Sequence, residues 1–316
     1  MGSTVAPNDI VLFNYPSSPF GRRISWYLQL RTIGYALAEQ PVTMPRPDLE
    51  KLGVKYRRIP NLAIGRDVYL DTRLILRTLE KKFPEGKLGS DKPEQQFVEK
   101  LLEKYMVEGP VFQETAGLVP STVLKDATLA TFACYERVHG PELDTRRAGG
   151  TTGESSVRLE PVRLVGPRWQ IYKVSSFLVT IWPVDWATSM NMPSHVVSEE
   201  LFPKVYAWIS RFQHVLEDAA SAGPKLVIVN GDEAVSYMKN IRGSQEARPD
   251  DVVDKKDPRA VECGTFVEIY PSDRGSEHGD AGRLVALAPD SVTIMAEGAL
   301  GLRIHAPRTG FKMTGV

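Results

Sequence analysis

Cysteine is scarce in this 316-residue sequence, where Cys134 and Cys263 are the only two. Two distant thiols in unlike surroundings make neither a disulfide framework nor a structural zinc site. Cys263, His278 and His305 are too scattered for metal-ligand spacing, so no metal is expected. Net charge is also lacking, since 39 basic residues balance 39 acidic ones. No global field therefore draws the chain to nucleic acid or to an anionic membrane. The arginine pairs Arg22/Arg23, Arg57/Arg58 and Arg146/Arg147 are local. No apolar run approaches the roughly 20 residues of a membrane span. The opening residues "MGSTVAPND" have neither a basic nor an apolar signal region, so a reducing cytosol is the expected setting.

What is present is ordinary globular material, 42% hydrophobic and 25% charged, in a length suited to two or three domains. Residues 9–84 alternate strand and helix signals in the order β-α-β-β-β-α, which fits a mixed sheet with helices packed on it, an α+β arrangement. Leu62 and Ile64 are joined to Val68 and Leu70 through Gly65-Arg66-Asp67, a hairpin connection. Residues from about 94 to 222 turn helical, with "ATLATFACYERVHG" one helix, "SSFLVTIWPVDWATSM" another and Ser198 the N-cap of a third. Residues 139–170 show no periodicity. After a short helix signal at "GDEAVSYMKNI" and a charged linker at 242–260, short strand signals follow at "TFVEIYP", "GRLVALAP", "SVTIMAE" and "LGLRIHAP". Their turn spacing suggests a small barrel or sandwich.

Three short stretches carry candidate chemistry. In "FNYPSSPFGRRISWYL" (13–28) two serines fall at a helix entrance, where unpaired N–H groups favour negative charge. Either Ser17 or Ser18 simply caps that helix, or one hydroxyl faces a bound anion. In "RRIPNLAIG" (57–65) Pro60 stands at a strand entrance, and a cis bond there turns the Ile59 backbone outward to an extended peptide. The other reading is an edge-strand proline. In "LDTRLI" (70–75) Asp71 and Thr72 precede an apolar helix. They suit a ligand's ammonium and carboxylate, or plain capping by Thr72.

The order and spacing of "YPSSPFGRRISWYL", "RRIP", "IGRDVYLDTRLI" and "LEKKFP" resemble the thioredoxin-fold N-terminal domain of glutathione S-transferases. Residues 40–84 resemble more closely a fungal branch with an extra C-terminal β-rich domain. The resemblance implies a thioredoxin-like domain at 1–88, an all-helical domain at 89–223 and a small β-rich domain at 224–316. It implies glutathione as the bound cofactor, with Ser18, Ser17 or Tyr15 donating to its thiolate. Ile59 beside Pro60 would pair with the cysteinyl backbone, Asp71 and Thr72 with the γ-glutamyl end, and Arg58 or Arg57 with the glycyl carboxylate. Tyr105, Met106, Phe112, Trp182 and Trp186 would line a pocket for a hydrophobic small molecule, unless they are core. A homodimer is usual in the family, although a third domain can block its interface.

Since no cysteine stands at the serine pair, the resemblance implies thiolate stabilisation rather than a mixed disulfide. The expected reaction is conjugation of a hydrophobic electrophile or glutathione-assisted cis–trans isomerisation, in fungal specialised metabolism or detoxification. Two departures point elsewhere: no Asp follows "SSFL" as the family's capping box requires, and the long helix before it is lacking. A non-catalytic binding protein and a glutathione-independent isomerase or lyase remain the alternatives.

Overall fold

The computed structural model describes residues 6–109, 111–112, 181–182, 184–186, 188–189, 194–240, 248, 251–273, 275–297 and 300–315. Two compact units divide the chain, one of residues 1–87 with 204–316 and one of residues 88–203. The predicted helix at 127–140, the aperiodic stretch 139–170 and the "SSFL" capping position lie outside the described residues.

The first unit is built on β1 (Ile10–Asn14), whose five residues are all buried. It runs parallel to β2 (Ala36–Glu39) and antiparallel to β3 (Asn61–Ile64), which forms a hairpin with β4 (Asp67–Leu70). A strand buried on both faces reads as a continuous apolar run. Between β1 and β2 lies α1 (Pro19–Leu30), which buries Ile24, Tyr27 and Leu28 on one stripe. The short α2 (Pro47–Leu52) went unread in the sequence. It has Pro47 in its first turn and stops at Gly53, whose φ of 78° suits glycine. After β4 comes α3 (Thr72–Lys82), with Leu74, Ile75 and Leu79 inward, and it packs against α1.

Residues 88–109 of the second unit hold α4 (Pro93–Glu103) followed by one π-helical stretch, Lys104–Glu108. The next helix of the first unit, α5 (Pro203–Ala222), starts five residues after Ser198. Pro203 sets that start, because the residue before a proline is pushed out of helical conformation. Trp26 of α1 meets Phe212 of α5 edge to face at 5.2 Å, and Gln29 Nε2 donates to the Leu216 carbonyl at 2.6 Å. These two contacts group α5 with α1. From it the chain enters β5 (Val227–Val229), parallel to β2, and α6 (Gly231–Asn240), which packs on α2.

The C-terminal strands β6 (Phe266–Pro271), β7 (Asp280–Leu287), β8 (Ser291–Ala296), β9 (Arg303–Pro307) and β10 (Phe311–Gly315) continue the same sheet. Its order is β10-β6-β7-β8-β9-β4-β3-β1-β2-β5. The barrel or sandwich expected from the sequence is met instead by an open extension, because β9 pairs in parallel with β4 on the side away from β3, His305 opposite Tyr69. One apolar core runs through both parts, with Val68 and Leu70 in the same cluster as Ile294, Ile304 and Ala306.

Buried charge also fastens the joint. Asp67 accepts from Arg248 Nη1 at 2.9 Å and from His305 Nε2 at 2.8 Å. His305 stacks on Tyr69 with ring centroids 4.4 Å apart. Burial pushes the Asp67 carboxyl up, but the hydrogen bonds and charges of His305 and Arg248 outweigh it and hold Asp67 below the usual range. Within the linker, Asp251 pairs with Arg303 at 2.8 Å and Asp257 pairs with Arg308.

Candidate functional site

The register of three strands brings the three stretches to one end of the sheet. Phe13 of β1 lies opposite Asn61 of β3, and Asn61 opposite Leu70 of β4. The residues next in line are therefore those following Phe13, those preceding Asn61 and those following Leu70. They are Tyr15–Ser18, Ile59-Pro60 and Asp71-Thr72.

At the mouth of α1 the two serines have different surroundings. Ser18 is the N-cap, with φ −67° and ψ 118°, and its Oγ accepts from the Gly21 amide at 3.0 Å. It is only 1% exposed. Ser17, one residue earlier, is exposed, and Tyr15 is half-buried against the apolar core. The cap depends on a close approach. A Cβ at Gly21 would run into the buried side chain of Asn14, so only glycine fits there.

The Ile59–Pro60 bond is cis, and so is Met44–Pro45, which the sequence reading did not single out. Ile59 is 8% exposed and leads into Asn61, whose Nδ2 donates to the Arg58 carbonyl at 3.0 Å.

At the mouth of α3, Asp71 is the N-cap and Thr72 the first helical residue, so the cap sits one position before the one expected. Asp71 holds φ 68° and ψ 133°, a region that side-chain-bearing residues rarely occupy. Arg73, which sequence reasoning missed, clamps it. Asp71 Oδ1 accepts from the Arg73 amide and Nε, both at 2.9 Å, and Oδ2 accepts from Nη2 at 2.8 Å. A carboxylate has about four acceptor sites, which leaves room for a further donor. Thr72 Oγ1 accepts from Nη1 of the buried Arg23 at 3.1 Å, tying α3 to α1. An Asp-x-Arg pattern at a helix start was the available signal for Arg73. Arg58 Nη2 meets Asp273 of the β6–β7 connection at 2.5 Å, a partner no local pattern announces.

Beneath this edge, Asp280 Oδ1 accepts from the Lys55 amide at 2.6 Å. Burial pushes its carboxyl up to about 7, against the opposing pull of the Lys55 and Tyr56 amides. The pocket residues expected from the sequence belong to the second unit. There Phe112 packs on Trp182 at 5.4 Å and on Trp186 at 5.9 Å. Trp182, Trp186 and Met106 are buried, whereas Tyr105 is 52% exposed. The first three thus sit as core side chains do.

With strands, helices and the shared sheet end in place, the chain has the fold of a GST-like protein, with a thioredoxin-like N-terminal region. Residues 12–87 match the family described as the glutathione S-transferase N-terminal domain. Residues 173–221 match a family described only as a domain of unknown function. Among solved structures, a GST-like protein from Pseudomonas syringae is 19% identical, with a TM-score of 0.66 over 98% of this chain and 100% of that one. A glutathione transferase from Bombyx mori is 11% identical, with a TM-score of 0.45 over 74% of this chain and 97% of its own. One from Phanerochaete chrysosporium, solved with oxidized glutathione, is 16% identical, with a TM-score of 0.40 over 68% and 94%. The first likeness establishes the fold, and the other two are too loose to argue from. No curated protein matches the chain. Among the described residues no helix is long and apolar enough to cross a membrane.

Proposed function

We propose that the chain binds glutathione where Ser17, Ile59 and Asp71 share one end of the sheet, and that it presents the thiolate to a hydrophobic electrophile. Fungal specialised metabolism or detoxification in the cytosol is the setting this reading assigns. The observation that carries it is the backbone of Asp71, a non-glycine residue at φ 68° at the strand end that Ile59 shares. Such conformations cost about 1–3 kcal/mol and cluster at ligand clamps. The carboxylate so placed has room for a ligand ammonium, and the adjoining Ile59 backbone suits the extended peptide of a tripeptide.

The exposures of the two serines divide their roles. Ser18 is buried and its oxygen accepts the cap hydrogen bond, so it positions the helix mouth. Ser17 is exposed at that mouth and donates to the sulfur. A free thiol ionises near about 8.5, and a hydroxyl donor together with a helix N-terminus lowers that value. The thiolate attacks, forming a carbon–sulfur bond. If the adduct persists the product is a conjugate. If the bond rotates and the thiolate leaves again, the product is the cis–trans isomer.

Following thiolate absorbance of bound glutathione against pH in the wild type, Ser17→Ala and Ser18→Ala tests this division. Ser17→Ala should raise the bound thiol's pKa by about one unit, and Ser18→Ala should leave it near the wild-type value. The opposite pattern gives the donor role to Ser18. A bound thiol that titrates like the free one in the wild type leaves a binding protein without thiolate chemistry.

A further inference from the structure

Two turns of the C-terminal strands reach the arginines that border the proposed tripeptide site. From the β6–β7 connection, Asp273 meets Arg58 Nη2 at 2.5 Å. In the same connection Gly275, at φ 89°, lies so close to Arg57 that a Cβ would collide with its side chain. From the β9–β10 turn, the Thr309 carbonyl accepts from Arg73 Nη2 at 3.2 Å. Tyr56 packs beneath, its ring 5.5 Å from Phe311 of β10. Burial, and after it the charge of Asp71, pushes the Tyr56 phenol up, with Arg58, Asp273 and Arg73 close enough to act on it as well. Four charged groups from two ends of the chain thus share one cluster.

We propose that Asp273 is an internal competitor for the carboxylate end of the ligand at Arg58, and so sets the carboxylate selectivity of the site. The inference rests on the glutathione reading above. Its chemistry is substitution: one carboxylate of this chain occupies the guanidinium that a glycyl carboxylate would need. The pair is exposed, 36% at Arg58 and 61% at Asp273. Exposed pairs of this kind are weak and readily exchanged. A ligand carboxylate can therefore displace Asp273, at a loss of about two- to fivefold in apparent affinity. A ligand whose glycyl end is neutral has no use for Arg58 and escapes the competition.

Calorimetric titration of the full chain and of Asp273→Asn, with glutathione and with its glycyl monoethyl ester, tests this. The variant should bind glutathione about two- to fivefold more tightly than the wild type and bind the ester equally well. An equal gain for both ligands, or no gain for glutathione, overturns the competitor and leaves the glutathione site standing. Absence of binding by either ligand to either protein overturns the site itself and the competitor with it.

Discussion

Asp280 makes the stability of the first unit depend on pH in a direction opposite to that of most carboxylates. Its side chain sits where β7 begins, 2% exposed, with Oδ1 held by the Lys55 amide and Oδ2 buried without a hydrogen-bond partner among the described residues. Burial raises its pKa from 3.8 to about 7. Below the unfolded value both states carry the proton and the group contributes nothing. Between about pH 4 and pH 7 the unfolded chain has released the proton while the folded chain keeps it, so stability falls by about 1.4 kcal/mol per pH unit. Above pH 7 the full penalty of about 4 kcal/mol remains. Asp67, Asp251 and Asp257 do not obscure this, because their pKa values are lowered. Their contributions are complete above about pH 4 and are lost only on further acidification.

Asp280→Asn removes the titration while keeping an oxygen for the amides of Lys55 and Tyr56. Urea denaturation followed by circular dichroism, at intervals between about pH 4 and pH 8, should show the variant gaining on the wild type by about 4 kcal/mol across the range. Parallel curves for the two proteins would refute the reasoning, since Asp280 would then titrate alike in both states.

Other perturbations separate structural from functional roles. Ser18→Ala should cost about 1 kcal/mol in thermal or urea denaturation through loss of the cap, while Ser17→Ala should stay within about 0.5 kcal/mol of wild type. Gly21→Ala drives a methyl group into buried Asn14 and should cost about 1–3 kcal/mol by the same measurement. Asp67→Ala leaves Arg248 and His305 without their shared carboxylate and should cost about 3 kcal/mol. Amide hydrogen exchange at residues 303–305, where β9 joins β4, should then quicken.

Much of the first 87 residues was legible because its signals are local. Hydrophobic runs gave β1, β3 and β4, Pro19 and the serines marked the entrance to α1, and Leu74, Ile75 and Leu79 marked one face of α3. The six-residue α2 was missed although Pro47 and Gly53 bracket it, because so short a helix shows barely two turns of periodicity. In the tail, β6 to β9 were visible as alternating apolar segments. Where those strands dock was not visible, since parallel pairing of β9 with β4 joins residues more than 230 positions apart and leaves no local trace. The stretch 242–260 misled for a related reason. Its charges read as a solvated linker, yet Arg248, Asp251 and Asp257 are spent on Asp67, Arg303 and Arg308. At the site, spacing picked out Ser17, Ser18, Pro60, Asp71 and Thr72, whereas the partners Arg23, Arg73, Asp273 and Asp280 emerged only from the folded chain.

The most direct measurement of the central claim is glutathione-dependent thermal stabilisation of the full chain, beside that of Asp71→Asn. Glutathione at a hundred times its dissociation constant should stabilise the wild type by about 2.7 kcal/mol. Asp71→Asn, which keeps the side chain's size and an oxygen for the Arg73 amide but lacks the negative charge for the γ-glutamyl ammonium, should need at least about tenfold more ligand for the same shift. A wild-type transition that does not move with glutathione, or one that moves equally in both proteins, would contradict the account.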